Sequence, residues 1–191
     1  MAATQNSYSS LALRSIEERL ANDKNLQVFD LGRASGPNIE FYSKFARNIY
    51  VEDLLWTVVQ ERSSKPLKAK RLRERLTSVP ENARFDLICC WDILNYLSPE
   101  EMLEVSQFLK HFSHEKTVLF MLTHIRPQMP DTPSVYKIQG GSCIMYELSS
   151  ELTIPSPGYS KRQLDQMLPG FKRTRSVLLR SGMEEQLYSA K

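Results

Sequence analysis

Apolar and polar positions along this chain switch between helical and alternating periods, and the switches predict its elements. A polar start, residues 1–9, is expected to be flexible. Leu13, Ile16 and Leu20 then recur at helical spacing and predict an amphipathic helix over residues 10–22. Asn22-Asp23-Lys24-Asn25 breaks it, and Leu26-Gln27-Val28-Phe29 has strand character. Phe41 and Phe45, with Ile39, Tyr42 and Ala46 beside them, predict a helix over residues 39–47. A strand over residues 48–51 runs straight into Glu52 and Asp53, and residues 54–59 continue as an apolar helix toward a turn at Ser63-Ser64-Lys65-Pro66. Residues 76–79, Leu-Thr-Ser-Val, are the only candidate for a third strand.

The second half repeats the alternation more clearly. Residues 85–91 form a continuous apolar run, as a strand buried on both faces should. Ser98-Pro99-Glu100-Glu101 is a capping box with proline at the first helical position, and Met102, Val105, Leu109 and Phe112 mark the buried side of the helix it starts. Residues 116–122 are another continuous strand, so the order argues for parallel βαβ units. From 123 to 158 the period is lost among Pro127, Pro130, Pro133, Pro155 and Pro157, around a short apolar piece at 143–148. A segment this long after a central strand predicts a lid or insert over the site. A second capping box, Ser160-Lys161-Arg162-Gln163, leads Leu164, Met167 and Leu168 to Pro169-Gly170, and residues 171–179 and 185–188 predict a terminal hairpin.

The first strand ends in Asp30-Leu31-Gly32-Arg33-Ala34-Ser35-Gly36-Pro37-Asn38. Glycine at such a turn lets the backbone approach a ligand closely, and the following helix presents free N–H groups there. An acid at the end of the next strand, roughly 20 residues on, is where a ribose diol would be gripped. The result is a nucleoside-binding βαβ unit. It lacks the G-x-G-x-x-G of a dinucleotide site and has instead an acid two residues before Gly32. The stretch resembles the D-x-G-x-G-x-G-x-N motif of class I S-adenosylmethionine-dependent methyltransferases, with Ala34 where that family usually has its middle glycine. Phe85-Asp86-Leu87-Ile88 resembles the opening of that family's fourth strand, and residues 94–97 occupy its hydrophobic-x-x-Leu position.

The resemblance implies one α/β domain over residues 10–191. Its sheet would be doubly wound, mostly parallel and seven-stranded, or six-stranded if residues 76–79 add none, with the last strand entering by an antiparallel hairpin. It implies S-adenosyl-L-methionine as cofactor. Gly32, Ala34 and Gly36 would line its methionine side and Asp30 would orient its amino group, with Asn38 closing the motif. Glu52, or Asp53, would accept bonds from the ribose hydroxyls, while Trp91 and Asp92 would border the transferred methyl group. A sulfonium already activates its methyl, so alignment supplies much of the acceleration and no catalytic residue need be visible. Asn95, Tyr96 and His124 are the candidates for facing the acceptor. Asn95-Tyr96-Leu97-Ser98-Pro99 is not the N-P-P-Y motif of methyltransferases acting on exocyclic amines.

Composition narrows the classes. With 191 residues, 41% apolar and 25% charged, the chain suits one soluble domain, and no run approaches the roughly 20 apolar residues of a membrane span. No secretory signal is visible, and Cys89, Cys90 and Cys143 make no C-x-x-C pair, so a reducing, cytoplasmic compartment is expected. His111, His114 and His124 form no ligand cluster with cysteine, so no metal site is expected. Net charge is +3, but residues 61–75 alone carry seven basic side chains against Glu61 and Glu74, a local +5. Such a segment could hold phosphates, although Ala69, Leu72 and Leu76 fall on one helical face and few aromatics are interleaved. The expectation is therefore a methyltransferase acting on a small molecule. The alternatives are a catalytically silent methyltransferase-like binding module and a nucleic-acid methyltransferase using residues 61–75.

Overall fold

The computed structural model describes residues 5–53, 56, 68–75 and 78–191. Its strands, in chain order, are β1 (Gln5–Ser9), β2 (Leu26–Asp30), β3 (Ala46–Val51), β4 (Phe85–Trp91), β5 (Ser113–His124), β6 (Gln128–Pro130), β7 (Val135–Gln139), β8 (Cys143–Glu147), β9 (Thr153–Pro155), β10 (Phe171–Leu178) and β11 (Met183–Ala190). The helices are α1 (Leu11–Leu20), α2 (Gly36–Tyr42), α3 (Ala69–Arg75), α4 (Pro99–His111) and α5 (Lys161–Met167). Six strands make the central sheet in the order β10-β11-β5-β4-β2-β3. β3, β2, β4 and β5 run parallel, and β11 enters antiparallel between β5 and β10. The sheet is thus mixed and six-stranded: Ser78 and Val79 lie in a bend, and residues 76–77 fall outside the described set.

Alternating side chains of the buried strands feed two cores. Phe29, Phe85, Ile88 and Leu119 pack on one face with α4 and α5. Val28, Leu87, Cys89 and Phe120 pack on the other with α1, α2 and strands β7 and β8. Ser98 and Ser160 cap α4 and α5 with complete capping boxes, so both helices start where the sequence places them. Met102, Val105, Leu109 and Phe112 are buried as expected.

Three local expectations change. Residues 5–9 do not fray: they form β1, which pairs antiparallel with β8, and β8 pairs with β7. Helix α2 begins at Gly36 rather than Ile39 and stops at Tyr42, because Phe41, Tyr42 and Phe45 are buried while Ile39 is exposed. The segment 123–158 holds β6 to β9, and its strands β7 and β8 join β1 as a small cap sheet. The apolar helix expected at 54–59 lies outside the described residues except for Trp56, and most of the basic segment 61–75 does too. Within that segment Leu72 is buried, Lys68 pairs with Glu104 and Lys70 with Glu74. No helix among the described residues is long and apolar enough to cross a membrane.

Asn95 buckles the ends of β4 and β5. Its Nδ2 donates to the carbonyls of Asp92 (2.7 Å) and Leu122 (2.8 Å), and its Oδ1 accepts from the His124 N–H (3.0 Å). Asn95→Ala should therefore strand buried backbone groups and cost about 2–4 kcal/mol, at about 1–3 kcal/mol for each group left unsatisfied. A urea-denaturation midpoint would measure it.

Candidate functional site

The turn after β2 is built around Asp30, which is 1% exposed between the backbones of β3 and β4. Its Oδ1 accepts from the Gly32 N–H (2.8 Å) and from Trp91 Nε1 (2.7 Å). Its Oδ2 accepts from the Tyr42 hydroxyl (2.9 Å) and, at 3.5 Å, from Asn38 Nδ2. Burial raises the carboxyl above its ordinary value, and the four donors pull it back down. Both oxygens are engaged within the chain.

Gly32 is required here by a close approach. A Cβ at this position would lie 2.6 Å from Trp91 Cδ1. Trp91, at the end of β4, has φ of 51° and lays its indole against the turn. The ring stacks on Tyr136 of β7 (centroids 5.1 Å, planes 4° apart) and meets Phe120 edge-on. The close approach that the sequence assigns to a ligand is made on this inner side by the chain's own indole.

The outer part of the turn is open. Arg33, Ala34 and Gly36 are exposed, and a Cβ on Gly36 would meet nothing within 4 Å. Ser35 gives α2 no side-chain cap, which leaves that helix start to its backbone. Glu52 lies just past β3, at the same end of the sheet as Asp30. Its N–H donates to the Asp30 carbonyl (2.9 Å), and its half-buried carboxylate accepts from the Ser78 hydroxyl. Asp53 is exposed, and the Arg33 guanidinium lies 5.0 Å from the Trp56 ring centre. The rim thus presents the exposed residues Ala34 and Gly36 and the half-buried carboxylate of Glu52.

The insert is fastened to the same end of the sheet. Asn38 Nδ2 donates to the Tyr136 carbonyl (3.1 Å) and Asn38 Oδ1 accepts from the Ile138 N–H (2.7 Å). Ser134 N–H donates to Asp92 Oδ2 (3.1 Å), and the Tyr96 hydroxyl donates to the Thr132 carbonyl (2.8 Å). Hence Asn38, Asn95 and Tyr96 spend their polar groups inside the fold. His124 Nε2 sits 3.7 Å from Asp92 Oδ2 and makes no hydrogen bond. Asp30, Gly32, Asn38 and Trp91 converge on one another, whereas Ala34, Gly36, Glu52 and Asp53 make the open rim.

Residues that spacing did not reveal complete the arrangement. Tyr42 and Tyr136 reach Asp30 and Trp91 across the fold, and no local signal announces them. Glu185 is fully buried on β11 between Met183 and Leu187. A charge at an alternating apolar position was its signal. No group of three or more His, Cys, Asp or Glu able to hold a metal occurs among the described residues.

The arrangement of sheet, helices and closing hairpin resembles that of solved S-adenosylmethionine-dependent methyltransferases. An S-adenosylmethionine-dependent methyltransferase from Clostridium acetobutylicum superposes with a TM-score of 0.56 at 12% identity, covering 94% of this chain and 89% of that one. The glycopeptide N-methyltransferase MtfA, solved with S-adenosyl-L-homocysteine, gives 0.52 at 11% identity, with 94% and 89% covered. DesVI from Streptomyces venezuelae gives 0.51 at 10% identity, with 93% and 90% covered. At these identities the likeness is one of fold. No protein-family model matches the chain, and no curated protein does.

Two outcomes follow from the packed turn. Gly32→Ala should displace the indole and cost about 1–3 kcal/mol through overpacking, and the cost should shrink in a Trp91→Leu background. A double-mutant cycle by urea denaturation reads that coupling. The second concerns pH. The folded protein holds the Asp30 proton more tightly than the unfolded chain, so this carboxyl's contribution to stability declines as pH rises from its ordinary value of 3.8 through the raised folded value. Relative to the parent, Asp30→Asn should therefore gain stability with rising pH across that window, as followed by thermal melts.

Proposed function

We propose that this chain binds S-adenosyl-L-methionine and transfers its methyl group to a small-molecule acceptor. The observation that carries the reading is the open rim, where Ala34 and Gly36 are exposed and Glu52, at the neighbouring strand end, bonds through its N–H to the Asp30 carbonyl at the start of the same turn. In this reading the rim amides and Glu52 hold the adenosine, with Asp53 beside them. Fold neighbours solved with S-adenosyl-L-methionine and S-adenosyl-L-homocysteine support it. The bound cofactor supplies an activated methyl. The chain supplies alignment and shelter from water through Trp91, Asp92 and the cap sheet. His124, poised at Asp92, is the candidate to take a proton from the acceptor.

A second reading is favoured by the inner side of the turn. Asp30 has no oxygen left to orient an amino group, and Trp91 occupies the face of Gly32. A protein fixed in that arrangement would be a catalytically silent member of the fold that acts by binding a partner.

Calorimetric titration with S-adenosyl-L-homocysteine separates the two. The first reading expects saturable heat at micromolar ligand, weakened at least about ten-fold by Glu52→Ala, since a hydrogen bond to a charged group contributes about 1.5–3 kcal/mol. No heat from the parent protein at millimolar ligand rejects it. Heat appearing only in Trp91→Phe or Trp91→Ala would favour the silent module.

A further inference from the structure

One residue of the site is held against its own backbone preference. Trp91, the last residue of β4, has φ of 51°, a left-handed value that a bulky side chain keeps only where its surroundings impose it. Its indole N–H donates to Asp30 Oδ1 (2.7 Å), its ring stacks on Tyr136 (5.1 Å between centroids), and Phe120 meets it edge-on at 5.6 Å. The ring also lies over Gly32, where a Cβ would come within 2.6 Å of Trp91 Cδ1 and 2.7 Å of its Nε1. Strain acts to move the residue out of this position, and the hydrogen bond and the stacked ring act to keep it there. Opposed contributions of this kind make an element with two positions.

In the closed position the indole withholds two features of the turn at once. It covers the backbone at Gly32, where the missing Cβ permits close approach. It also engages Asp30 Oδ1. The other donors to Asp30 are local: Gly32 sits in the turn, and Tyr42 and Asn38 lie on α2 directly after it. The indole alone reaches the carboxylate from a different strand. Its departure would uncover Gly32 and free a position on Oδ1 while the turn keeps its own bonds. A donor brought by a ligand, an ammonium group above all, can fill that position, so the buried carboxylate need not lose a partner. Tyr136, which backs the ring, belongs to β7 of the insert, and its carbonyl accepts from Asn38 Nδ2 (3.1 Å). Movement of the cap strand and release of the indole are therefore linked.

We infer that Trp91 is an internal gate: its indole closes the turn after β2 in the resting protein and swings off Gly32 and Asp30 to admit a ligand, with Tyr136 of the cap as its latch. That the ligand is the cofactor rests on the methyltransferase reading; the movement of the indole does not.

The test uses the full chain carrying Trp56→Phe, so that Trp91 is its single tryptophan, with the indole isotope-labelled for NMR. Without ligand, exchange of the indole proton with solvent should not change with urea below the unfolding transition, the mark of a local opening. The amide of Cys89, in the same strand, should instead exchange faster as urea is added. Tyr136→Leu removes the backing ring and should speed indole exchange by about two- to ten-fold, the worth of one aromatic pair. The gate falls if the indole proton exchanges with the urea dependence of the Cys89 amide, or if Tyr136→Leu leaves its rate unchanged. S-adenosyl-L-homocysteine added to the same sample should move the indole proton resonance away from its hydrogen-bonded position. Calorimetry on that sample keeps the two ideas apart. Cofactor heat with the indole resonance unmoved removes the gate alone, and urea-independent indole exchange without cofactor heat removes the methyltransferase reading alone.

Discussion

One buried carboxylate organises this end of the molecule. Asp30 sits at the tip of a central strand, where an ionised group without partners would be prohibitively costly, and its donors come from several parts of the chain. Gly32 supplies a backbone amide from the turn, Asn38 and Tyr42 lie on α2, and Trp91 ends β4. Asn38 extends the network to the insert through Tyr136 and Ile138. The turn, the helix after it, the neighbouring strand and the cap are therefore held in register by a single side chain. Networks of this kind are rigid when complete and expensive when broken.

That rigidity divides the site into two unequal parts. On the inner side the chain has filled the space beside Gly32 with an indole backed by a stacked tyrosine and an edge-on phenylalanine. On the outer side the small residues Ala34 and Gly36 are exposed, and Glu52 lies half-buried at the next strand end. In the methyltransferase reading an adenosine group would use this outer side, where the Glu52 carboxylate accepts from the Ser78 hydroxyl. Its amino-acid tail would have to share the region with Trp91. The left-handed backbone of Trp91 stores some strain, a property that recurs where a side chain is held in a functional position.

How much of this was legible in the sequence depended on whether the deciding contacts were local. Both capping boxes, the buried faces of α1 and α4 and the terminal hairpin follow from residues within a few positions of one another, and they appear as read. The strand at residues 5–9 did not announce itself because its partner is β8, and polar residues such as Asn6 and Ser7 are acceptable on a half-exposed strand. The loss of periodicity after residue 122 concealed four short strands because none is long enough to show an alternation of its own. At the site, the acid, the glycines and the strand-end carboxylates were visible as a motif. What the motif could not say is who fills the space beside Gly32, since Trp91 and Tyr136 meet across distant parts of the sequence. The same limit hid the pairing of Asp92 with His124.

Strand β1 has a consequence for how the molecule is made. Its partner β8 is separated from it by most of the chain, with Gln5 opposite Glu147. β1 therefore cannot pair until residues 143–147 have been brought to it across the fold. Contacts of such long range slow the final stage of folding. The groups beneath the cap are enclosed only when that last pairing closes over them.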